Sequence, residues 1–458
     1  MQRAQEPLIT RPTSWRWRRR RARSGLLGAI GAGASLVLGI LFWSHAAATP
    51  RSAYHYRFER TPRGAVKQAL QGEIEFYQAR LTYDPNSGLN LAALAGAYLR
   101  MARATGDLRW YLIAEQTAQR SVASLPFQNN GALIVLARVA EARHDFQQAI
   151  SLARRAGSTE ALSIIVTSNL AMGKIDEAAR AAGILIQGGA GLTSYTLQSL
   201  VELAQGNDEA AVADLQRAIA SEEPDEVASS VWARTLLGRL HYRRGRLRLA
   251  ADIYREALAV LPQYPQALIN LAELEIRRGH YRLAAQHLSE VVTVTKASPN
   301  IYDHAVLRGL ARLAELQGDH NRAAALWRDA EARLRRDAAS GQFGHRRELA
   351  RLLLERGRPE DIGEAVALME AEVHIRRDTE TLDVLAWALS RAGRLGEAQQ
   401  AMQEALHTGV HDARLFYRAA TIERSLGHDM QAKRFLELMR QTDPTFDERA
   451  RLVMGVGS

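Results

Sequence analysis

The chain has 458 residues, 47% of them hydrophobic and 6% aromatic, with a formal net charge of +10 at pH 7. Because it contains no cysteine, disulfides, thiolate metal sites and cysteine nucleophiles are excluded. Ala, Leu, Arg, Glu and Gln are abundant and lose little conformational freedom in a helix, whereas long alternations of Val, Ile and Thr do not occur. The composition therefore predicts an all-α protein.

Positive charge is concentrated at the beginning of the chain. Residues 1–24 contain eight arginines and one acidic residue, Glu6, and so carry +7. This leaves about +3 (10 − 7) for the rest of the chain. A net charge that comes largely from one terminus is weak support for nucleic-acid binding, and no nucleic-acid partner is expected.

Residues 25–43 predict a transmembrane helix. As a helix, these 19 uncharged residues would span roughly 28 Å, close to the ~30 Å hydrocarbon core of a bilayer. Because the arginines precede the apolar stretch, we expect residues 1–24 to be cytoplasmic and the following chain to be extracytoplasmic, as in a single-pass protein of the cell inner membrane. A signal peptide cleaved near residues 46–48 is the alternative, although the apolar stretch exceeds an ordinary signal h-region.

Residues 44–88 are predicted to contain a tether and a lead helix. Residues 44–62 read as the short tether, and residues 63–84 read as a single helix before the repeats begin. The Asp-Pro-Asn-Ser-Gly run over 84–88 combines residues that favour turns, so it is predicted to end that helix.

Residues 89–444 contain an internal repeat. A glycine, a short polar stretch and an apolar-periodic helix that opens on Ala recur down the chain, with 34 residues between Gly245 and Gly279. A period of this length predicts about ten helical hairpins, each of which buries its apolar face only by stacking on its neighbours. Residues 445–458 follow as a predicted capping helix and tail.

The unit around Gly245 shows the repeat most clearly. The residues that carry its pattern are Leu237, Gly238, Gly245, Ala250, Tyr254, Ala257 and Pro262. This pattern resembles the tetratricopeptide repeat family, and the resemblance covers about three quarters of the chain. It implies a right-handed α-solenoid that follows the transmembrane helix, with a concave face lined by the first helix of each hairpin. It also implies work by binding, because a preformed concave surface holds other proteins with little ordering cost.

No catalytic, cofactor-binding or metal-binding residue is predicted. The sequence has no HExxH, GxSxG or P-loop motif, and we expect no enzyme activity and no cofactor. His407 and His411 have a spacing that could suit a metal, but Gly409 between them indicates a loop. The acidic run 222–226 is interpreted as a solvated turn between repeats.

Arginine is enriched on the predicted concave face of the last six repeats. The resemblance places five positions of each first helix there, and these positions hold ten arginines: Arg239, Arg243, Arg277, Arg308, Arg312, Arg347, Arg351, Arg391, Arg414 and Arg424. Five acidic residues share these positions: Glu273, Glu315, Glu355, Glu380 and Asp383. Trp387 lies on the same face as a candidate anchor for a partner.

These residues predict a basic groove that receives acidic protein segments or an anionic polymer, because the planar guanidinium donates bidentately to carboxylate and phosphate. The alternative is that the arginines pair with neighbouring helices of the same chain. The predicted function is a membrane-anchored protein–protein interaction scaffold that organises an envelope-assembly, secretion or polysaccharide-export complex. An accessory subunit of a glycan-processing enzyme, with catalysis supplied by another chain, is the alternative function.

Overall fold

The structure, a computed structural model, describes residues 54–295, 300–339 and 345–456. The predicted basic segment 1–24 and the predicted transmembrane helix 25–43 lie outside the described residues. Among the residues that are described, no helix is both long enough and apolar enough to cross a membrane. Membrane anchoring and topology therefore stay predictions.

The regular secondary structure of the described residues is entirely helical, apart from one isolated β-bridge between Asp107 and Asn300. A short 3₁₀ helix at Pro359–Asp361 precedes the seventeenth of its twenty-two α-helices. In chain order the helices are α1 (Ala65–Tyr83), α2 (Gly88–Thr105), α3 (Leu108–Ser124), α4 (Asn130–Ala142), α5 (Phe146–Ala156), α6 (Thr159–Ala171), α7 (Ile175–Gly188), α8 (Leu192–Ala204), α9 (Asp208–Ala220), α10 (Val227–Arg243), α11 (Leu247–Val260), α12 (Pro265–Arg277), α13 (Tyr281–Val294), α14 (Asp303–Leu316), α15 (His320–Ala339), α16 (Arg346–Arg356), α17 (Ile362–Glu372), α18 (Thr379–Arg391), α19 (Leu395–Leu406), α20 (Ala413–Ser425), α21 (Asp429–Thr442) and α22 (Glu448–Val453).

Helices α2 to α21 form ten consecutive hairpins, which we number 1 to 10. Hairpin 1 consists of α2 and α3, and hairpin 10 consists of α20 and α21. Helix α1 packs against α2 as a lead helix, and α22 follows the last hairpin. The predicted all-α array of about ten hairpins is confirmed, whereas its right-handed coil stays a prediction.

Small residues let the two helices of a hairpin approach closely. In hairpin 5, a Cβ atom on Gly238 would lie only 2.5 Å from the Tyr254 ring, so glycine is required on α10. Ala250, Tyr254 and Ala257 on α11 are completely buried against this surface. Gly245 makes the turn between the two helices with φ +67°. The positions that carry the sequence repeat are therefore the positions that build the hairpin.

The turn of hairpin 2 departs from the repeat but keeps its geometry. His144 stands where the other units have glycine, and it adopts φ +63°, a conformation that glycine enters without strain. Its ring lies in a cavity of about 500 Å³ between hairpins 2 and 3 and hairpin 8, near Glu372 and His345. Burial and the nearby Arg376 guanidinium lower the pKa of His144 to about 3.

The array coils back on itself, so that hairpin turns contact linkers five or six hairpins later. The backbone N–H of Arg377, after hairpin 8, donates to the Ala171 carbonyl of hairpin 3 at 2.9 Å. A Cβ atom on Gly206, in the turn of hairpin 4, would lie 2.4 Å from the Gly409 carbonyl oxygen. Asn300, after hairpin 6, bridges to Asp107 in hairpin 1. These contacts bring the concave faces of distant hairpins close together.

The described end of the predicted tether lies against the middle of the array. The Tyr56 backbone N–H donates to Glu256 Oε1 at 3.0 Å, and the Thr61 N–H donates to the Val260 carbonyl at 3.2 Å. Arg234 on α10 donates to the Tyr54 carbonyl at 2.7 Å. Residues 54–61 are therefore docked on hairpin 5, although the sequence indicated a simple tether.

Candidate partner-binding groove

The ten predicted arginines and Trp387 lie on the first helices of hairpins 5 to 10, and we call the surface formed by these six helices the groove. By helix, they are Arg239 and Arg243 on α10, Arg277 on α12, Arg308 and Arg312 on α14, Arg347 and Arg351 on α16, Trp387 and Arg391 on α18, and Arg414 and Arg424 on α20. Five of the ten arginines are brought together through shared carboxylates: Arg308, Arg312, Arg347, Arg351 and Arg414. Arg424 is exposed at the end of α20, and Arg391 is half-buried at the end of α18.

Glu355 on α16 is the centre of one arginine cluster. Its carboxylate, only 3% exposed, lies 2.8 Å from Arg308 Nη2, 2.6 Å from Arg312 Nη2 and 3.0 Å from Arg351 Nε. Burial by itself would raise the pKa of Glu355, but the three guanidinium groups outweigh burial and hold it well below its usual range. The carboxylate is therefore ionised throughout the neutral range.

Glu380 on α18 is shared more loosely by a second cluster. Its carboxylate oxygens lie 3.8 Å from Arg347 Nη1, 3.7 Å from Arg351 Nη1 and 3.7 Å from Arg414 Nη1. Charge-assisted hydrogen bonds between guanidinium and carboxylate are about 2.7–2.9 Å long. Three guanidinium groups thus surround Glu380 without a close bond to it, and its side chain is 34% exposed.

Asp383, one turn after Glu380, is completely buried. It lies 2.6 Å from Arg418 Nε and 3.5 Å from Arg414 Nε. The Arg418 guanidinium also lies 4.2 Å from the centre of the Trp387 ring, which is buried in the present structure. Arg418 is not among the ten arginines predicted from the sequence. Its position one turn after Arg414 on α20 was the available signal, because residues i and i+4 share a helix face.

The interior of the groove holds more cations than close anions. Six arginines share Glu355, Glu380 and Asp383, although Arg347 also pairs with Glu348 and Asp378. Burial lowers the pKa of Arg351, and the neighbouring Arg308 lowers it further. Burial also lowers the pKa of Arg418 to about 10, and Asp383 only partly opposes this. In this cluster the six arginines therefore outnumber by one the five carboxylates Glu355, Glu380, Asp383, Glu348 and Asp378.

Three further predicted arginines pair with carboxylates outside the Glu355 and Glu380 clusters. Arg239 Nη1 lies 2.7 Å from Glu273 Oε2, and Arg243 Nε lies 3.7 Å from Asp412 Oδ2. Arg277 is buried and pairs with Asp443, just beyond hairpin 10, at 2.5 Å. Pairing within the chain, the alternative that the sequence left open, is thus extensive.

Residues 448–456, which we call the C-terminal segment, lie in the groove. Arg312 Nη1 donates to the Val453 carbonyl, and Arg351 Nη2 donates to the Met454 carbonyl at 3.3 Å. Helix α22 contacts α12. The sequence assigned residues 445–458 to a capping helix and tail, and the structure adds that part of this region occupies the arginine cluster around Glu355.

The structure also describes the pair His407 and His411 and the acidic run 222–226, for which the sequence predicted a loop and a solvated turn. His411 Nδ1 lies 3.8 Å from Asp208 Oδ2, and the described residues contain no group of three or more His, Cys, Asp or Glu side chains suited to a metal. The acidic run 222–226 is not wholly solvated. Glu222 is completely buried and pairs with the equally buried Arg234 at 2.7 Å. Arg234 also donates to the Tyr54 carbonyl, so residues 54–56 help to cover this pair.

Comparison with known proteins supports the repeat type. The tetratricopeptide repeat family matches residues 235–301, which cover hairpin 6 and much of hairpin 5. No curated protein sequence is significantly similar to the chain.

Several solved structures are similar to parts of the array. The crystal structure of MamA is 15% identical over 38% of this chain and 97% of that chain, with a TM-score of 0.31. PilW, a widely conserved type IV pilus biogenesis factor, is 16% identical over 45% of this chain and 93% of that chain, with a TM-score of 0.37. The Cut9–Hcn1 hetero-tetramer of the APC/C is 14% identical over 86% of this chain and 88% of that chain, with a TM-score of 0.39. TM-scores below 0.5 carry no argument about function.

The family match falls on the hairpins whose packing is described above. Gly238, Gly245, Ala250 and Tyr254 lie within it and make the close helix contacts and the turn. The same hairpin geometry recurs ten times between α2 and α21. The chain is therefore an array of ten helical hairpins of tetratricopeptide type, in which the family match itself covers residues 235–301.

Proposed function

We propose that this scaffold is anchored in the membrane by residues 25–43 and binds an acidic segment of a partner protein in the groove. The arrangement of Arg347, Arg351 and Arg414 around Glu380 carries the second part of the proposal. Three guanidinium groups share one carboxylate at 3.7–3.8 Å. An additional carboxylate from a partner would accept hydrogen bonds from these donors and reduce the repulsion between them.

The groove suits a side chain rather than a broad charged surface. Arg347 and Arg351 are only 13% and 19% exposed, so a partner must insert a side chain to reach their donors. A buried guanidinium discriminates strongly between a partner that neutralises it and one that does not, because water screens the interaction poorly. The proposed partner is therefore a protein segment in which Glu or Asp projects from an extended or helical backbone.

A binding measurement tests the groove. A fluorescein-labelled decaglutamate peptide is titrated with the full chain, and its anisotropy is followed at low and high salt. We expect binding that weakens with salt, since the contact is ionic. Arg414→Gln should weaken binding about ten-fold, corresponding to the loss of one charge-assisted hydrogen bond of roughly 1.4 kcal/mol.

The matched control is Arg434→Gln on α21, an exposed arginine outside the groove. If Arg434→Gln and Arg414→Gln weaken binding equally, the groove is not the binding surface. An anionic polysaccharide serves as a second probe. If it binds the full chain and the peptide does not, the partner is an anionic polymer and the protein-segment proposal is wrong.

We propose further that the scaffold lies outside the cytoplasm and organises an assembly, secretion or polysaccharide-export complex of the cell envelope. The arginines of residues 1–24 before the apolar residues 25–43 support this orientation. A reporter that is active only in the cytoplasm, fused after Ser458, should be inactive in cells. The same reporter fused before residue 25 is the positive control. Activity of the fusion after Ser458 alone would reverse the proposed orientation, and activity of both fusions would show that residues 25–43 do not cross the membrane.

A further inference from the structure

The C-terminal segment is seated in the groove by apolar contacts as well as hydrogen bonds. Val453 packs in one cluster with Leu268 and Ile276 of α12, and Met454 packs in a neighbouring cluster with Leu271. Ala450 is completely buried on the same side of α22. One face of this short helix therefore fills the concave surface of hairpin 6, on the side where the arginine clusters begin.

The backbone after α22 is held by the Glu355 cluster. The Val453 and Met454 carbonyls accept hydrogen bonds from Arg312 and Arg351. Gly455 has φ +72°, and a Cβ atom there would lie 2.4 Å from Glu355 Oε1. Glycine is thus required twice, for its conformation and for its close approach to the carboxylate. The cluster recognises a turn of backbone whose carbonyls face the arginines.

Helix α22 is too short to be stable by itself. It has six residues, from Glu448 to Val453, whereas isolated helices shorter than about 12–15 residues are marginal in water. Its order therefore depends on the surface on which it lies. A segment of this kind exchanges between docked and released states more readily than the hairpins, whose helices are longer and packed on both sides.

We propose that hairpins 6 to 8 form a peptide-binding site, that the C-terminal segment is its intramolecular ligand, and that a partner segment of the same chemistry displaces it. The partner is a protein segment with one short amphipathic helical turn, followed by glycine and by carbonyls that face Arg312 and Arg351. This inference rests on the proposed function only in taking the groove as the surface for partners.

The covalent connection between hairpin 10 and the C-terminal segment sets how tightly a partner must bind to displace that segment. Because the C-terminal segment is joined to hairpin 10, its effective concentration at the site is in the range of about 1 mM for a short connection. A partner must exceed this concentration or bind more tightly. Arg351 contacts both the Met454 carbonyl and Glu380, so release of the segment also frees a donor beside the proposed acidic site.

The test uses the full chain and a labelled synthetic peptide of residues 446–456. In wild type the site is occupied, so the peptide should bind weakly. Gly455→Leu introduces a Cβ atom against Glu355 and should release the segment, making peptide binding about ten-fold tighter or more. Gly363→Leu is the matched control, because Gly363 is exposed on α17 and a Cβ atom there meets nothing within 4 Å.

Limited trypsin digestion reports release independently of binding. Arg449 and Arg451 lie on α22, and trypsin should cut there faster in Gly455→Leu than in Gly363→Leu. Val453→Asp, which places a charge in the apolar contact, is a second variant that should release the segment. If neither variant is cut faster, the segment is a fixed part of the fold and the inference is wrong.

Two further results would overturn the inference. One is faster cutting at α22 without tighter binding of the peptide. The other is equal binding of the native peptide and a peptide carrying Gly455→Leu. The decaglutamate measurement reports on Arg414 and not on this peptide, so failure of the proposed acidic site and failure of the present inference give different results.

Discussion

Hairpins 1 to 4 and hairpins 5 to 10 share one backbone plan but differ in the chemistry of their concave face. Among the described residues, the buried polar groups on the first helices of hairpins 1 to 4 are neutral, including Ser163, Asn169 and Ser199. Charged groups such as Asp383 and Arg414 are buried on the first helices of hairpins 5 to 10. The hairpin geometry therefore leaves the chemistry of the concave face free to vary along one array.

In the neutral region, several buried hydroxyl groups form hydrogen bonds within their own helix. Ser199 Oγ donates to the Thr196 carbonyl at 2.6 Å on the same helix, α8. The charged region pairs side chains between helices, and Asp383 on α18 pairs with Arg414 and Arg418 on α20. Loss of a partner has different costs in the two regions, because an uncompensated buried charge is far more unfavourable than an unpaired hydroxyl.

The largest expected effect comes from breaking a charged pair between helices. Asp383→Ala leaves two buried guanidinium groups without their carboxylate and should lower the free energy of unfolding by about 3–5 kcal/mol. Ser199→Ala in the neutral region should cost about 1 kcal/mol. Urea denaturation followed by circular dichroism measures both variants. Equal losses would show that the two concave faces do not differ energetically.

A second prediction concerns the contacts between distant hairpins. Gly206 and Gly318 both have φ +78°, but a Cβ atom on Gly206 meets the Gly409 carbonyl oxygen at 2.4 Å, whereas one on Gly318 meets nothing within 4 Å. Both Gly→Ala variants carry the strain of positive φ, about 1–2 kcal/mol. Gly206→Ala should lose about 1–3 kcal/mol more, because the contact must open.

Small-angle scattering measures the shape change that should accompany this loss. The radius of gyration should increase for Gly206→Ala and stay at the wild-type value for Gly318→Ala. If the two variants have the same radius and the same stability, the contact between hairpin 4 and the linker after hairpin 9 does not hold the array closed.

The smallest effect concerns pH. The pKa of His144 is lowered to about 3 by burial and by Arg376, whereas an unfolded histidine titrates near 6.5. Between these values the unfolded chain binds the proton and the folded chain does not, so the free energy of unfolding falls as pH decreases from about 6.5 towards 3. At pH 5 this residue should contribute a loss of about 1–2 kcal/mol relative to pH 7.

His144→Gln should remove that part of the acid sensitivity. Urea denaturation of wild type and variant at pH 7 and pH 5 measures the difference. His407→Gln is the control, since His407 ends hairpin 9 in a loop away from the cavity of His144. An unchanged pH dependence in His144→Gln would show that His144 has the same pKa in the folded and the unfolded chain, which would contradict the prediction.

The repeat itself could be predicted because its causes are local. Gly238, Ala250, Tyr254 and Gly245 interact within one hairpin, so their spacing in the sequence is also their spacing in the structure. Hairpins 3 and 4 form in the same way, because their apolar faces stack on neighbouring hairpins. His144 shows what the repeat cannot predict. Its positive φ follows from its position in the repeat, whereas its burial depends on contact with hairpin 8.

The candidate site was predicted only in part. The concave positions of the arginines and of their acidic partners Glu355, Glu380 and Asp383 follow from the repeat register. Arg418 was missed, and Glu222 was wrongly interpreted as solvated, because both are buried by residues that are remote in sequence or on another helix. The roles of the arginines in binding a partner remain predictions.

The sequence by itself determined the all-α class, the repeat, the number of hairpins and the arginine-rich positions on the last six units. These properties depend on contacts within one hairpin or with the next, which a period of 34 residues encodes. Only the tertiary structure decided which carboxylate each arginine meets and which hairpins touch across the coil. It also placed the C-terminal segment on Arg312 and Arg351, since such contacts depend on the accumulated rotation from hairpin to hairpin, which no single repeat contains.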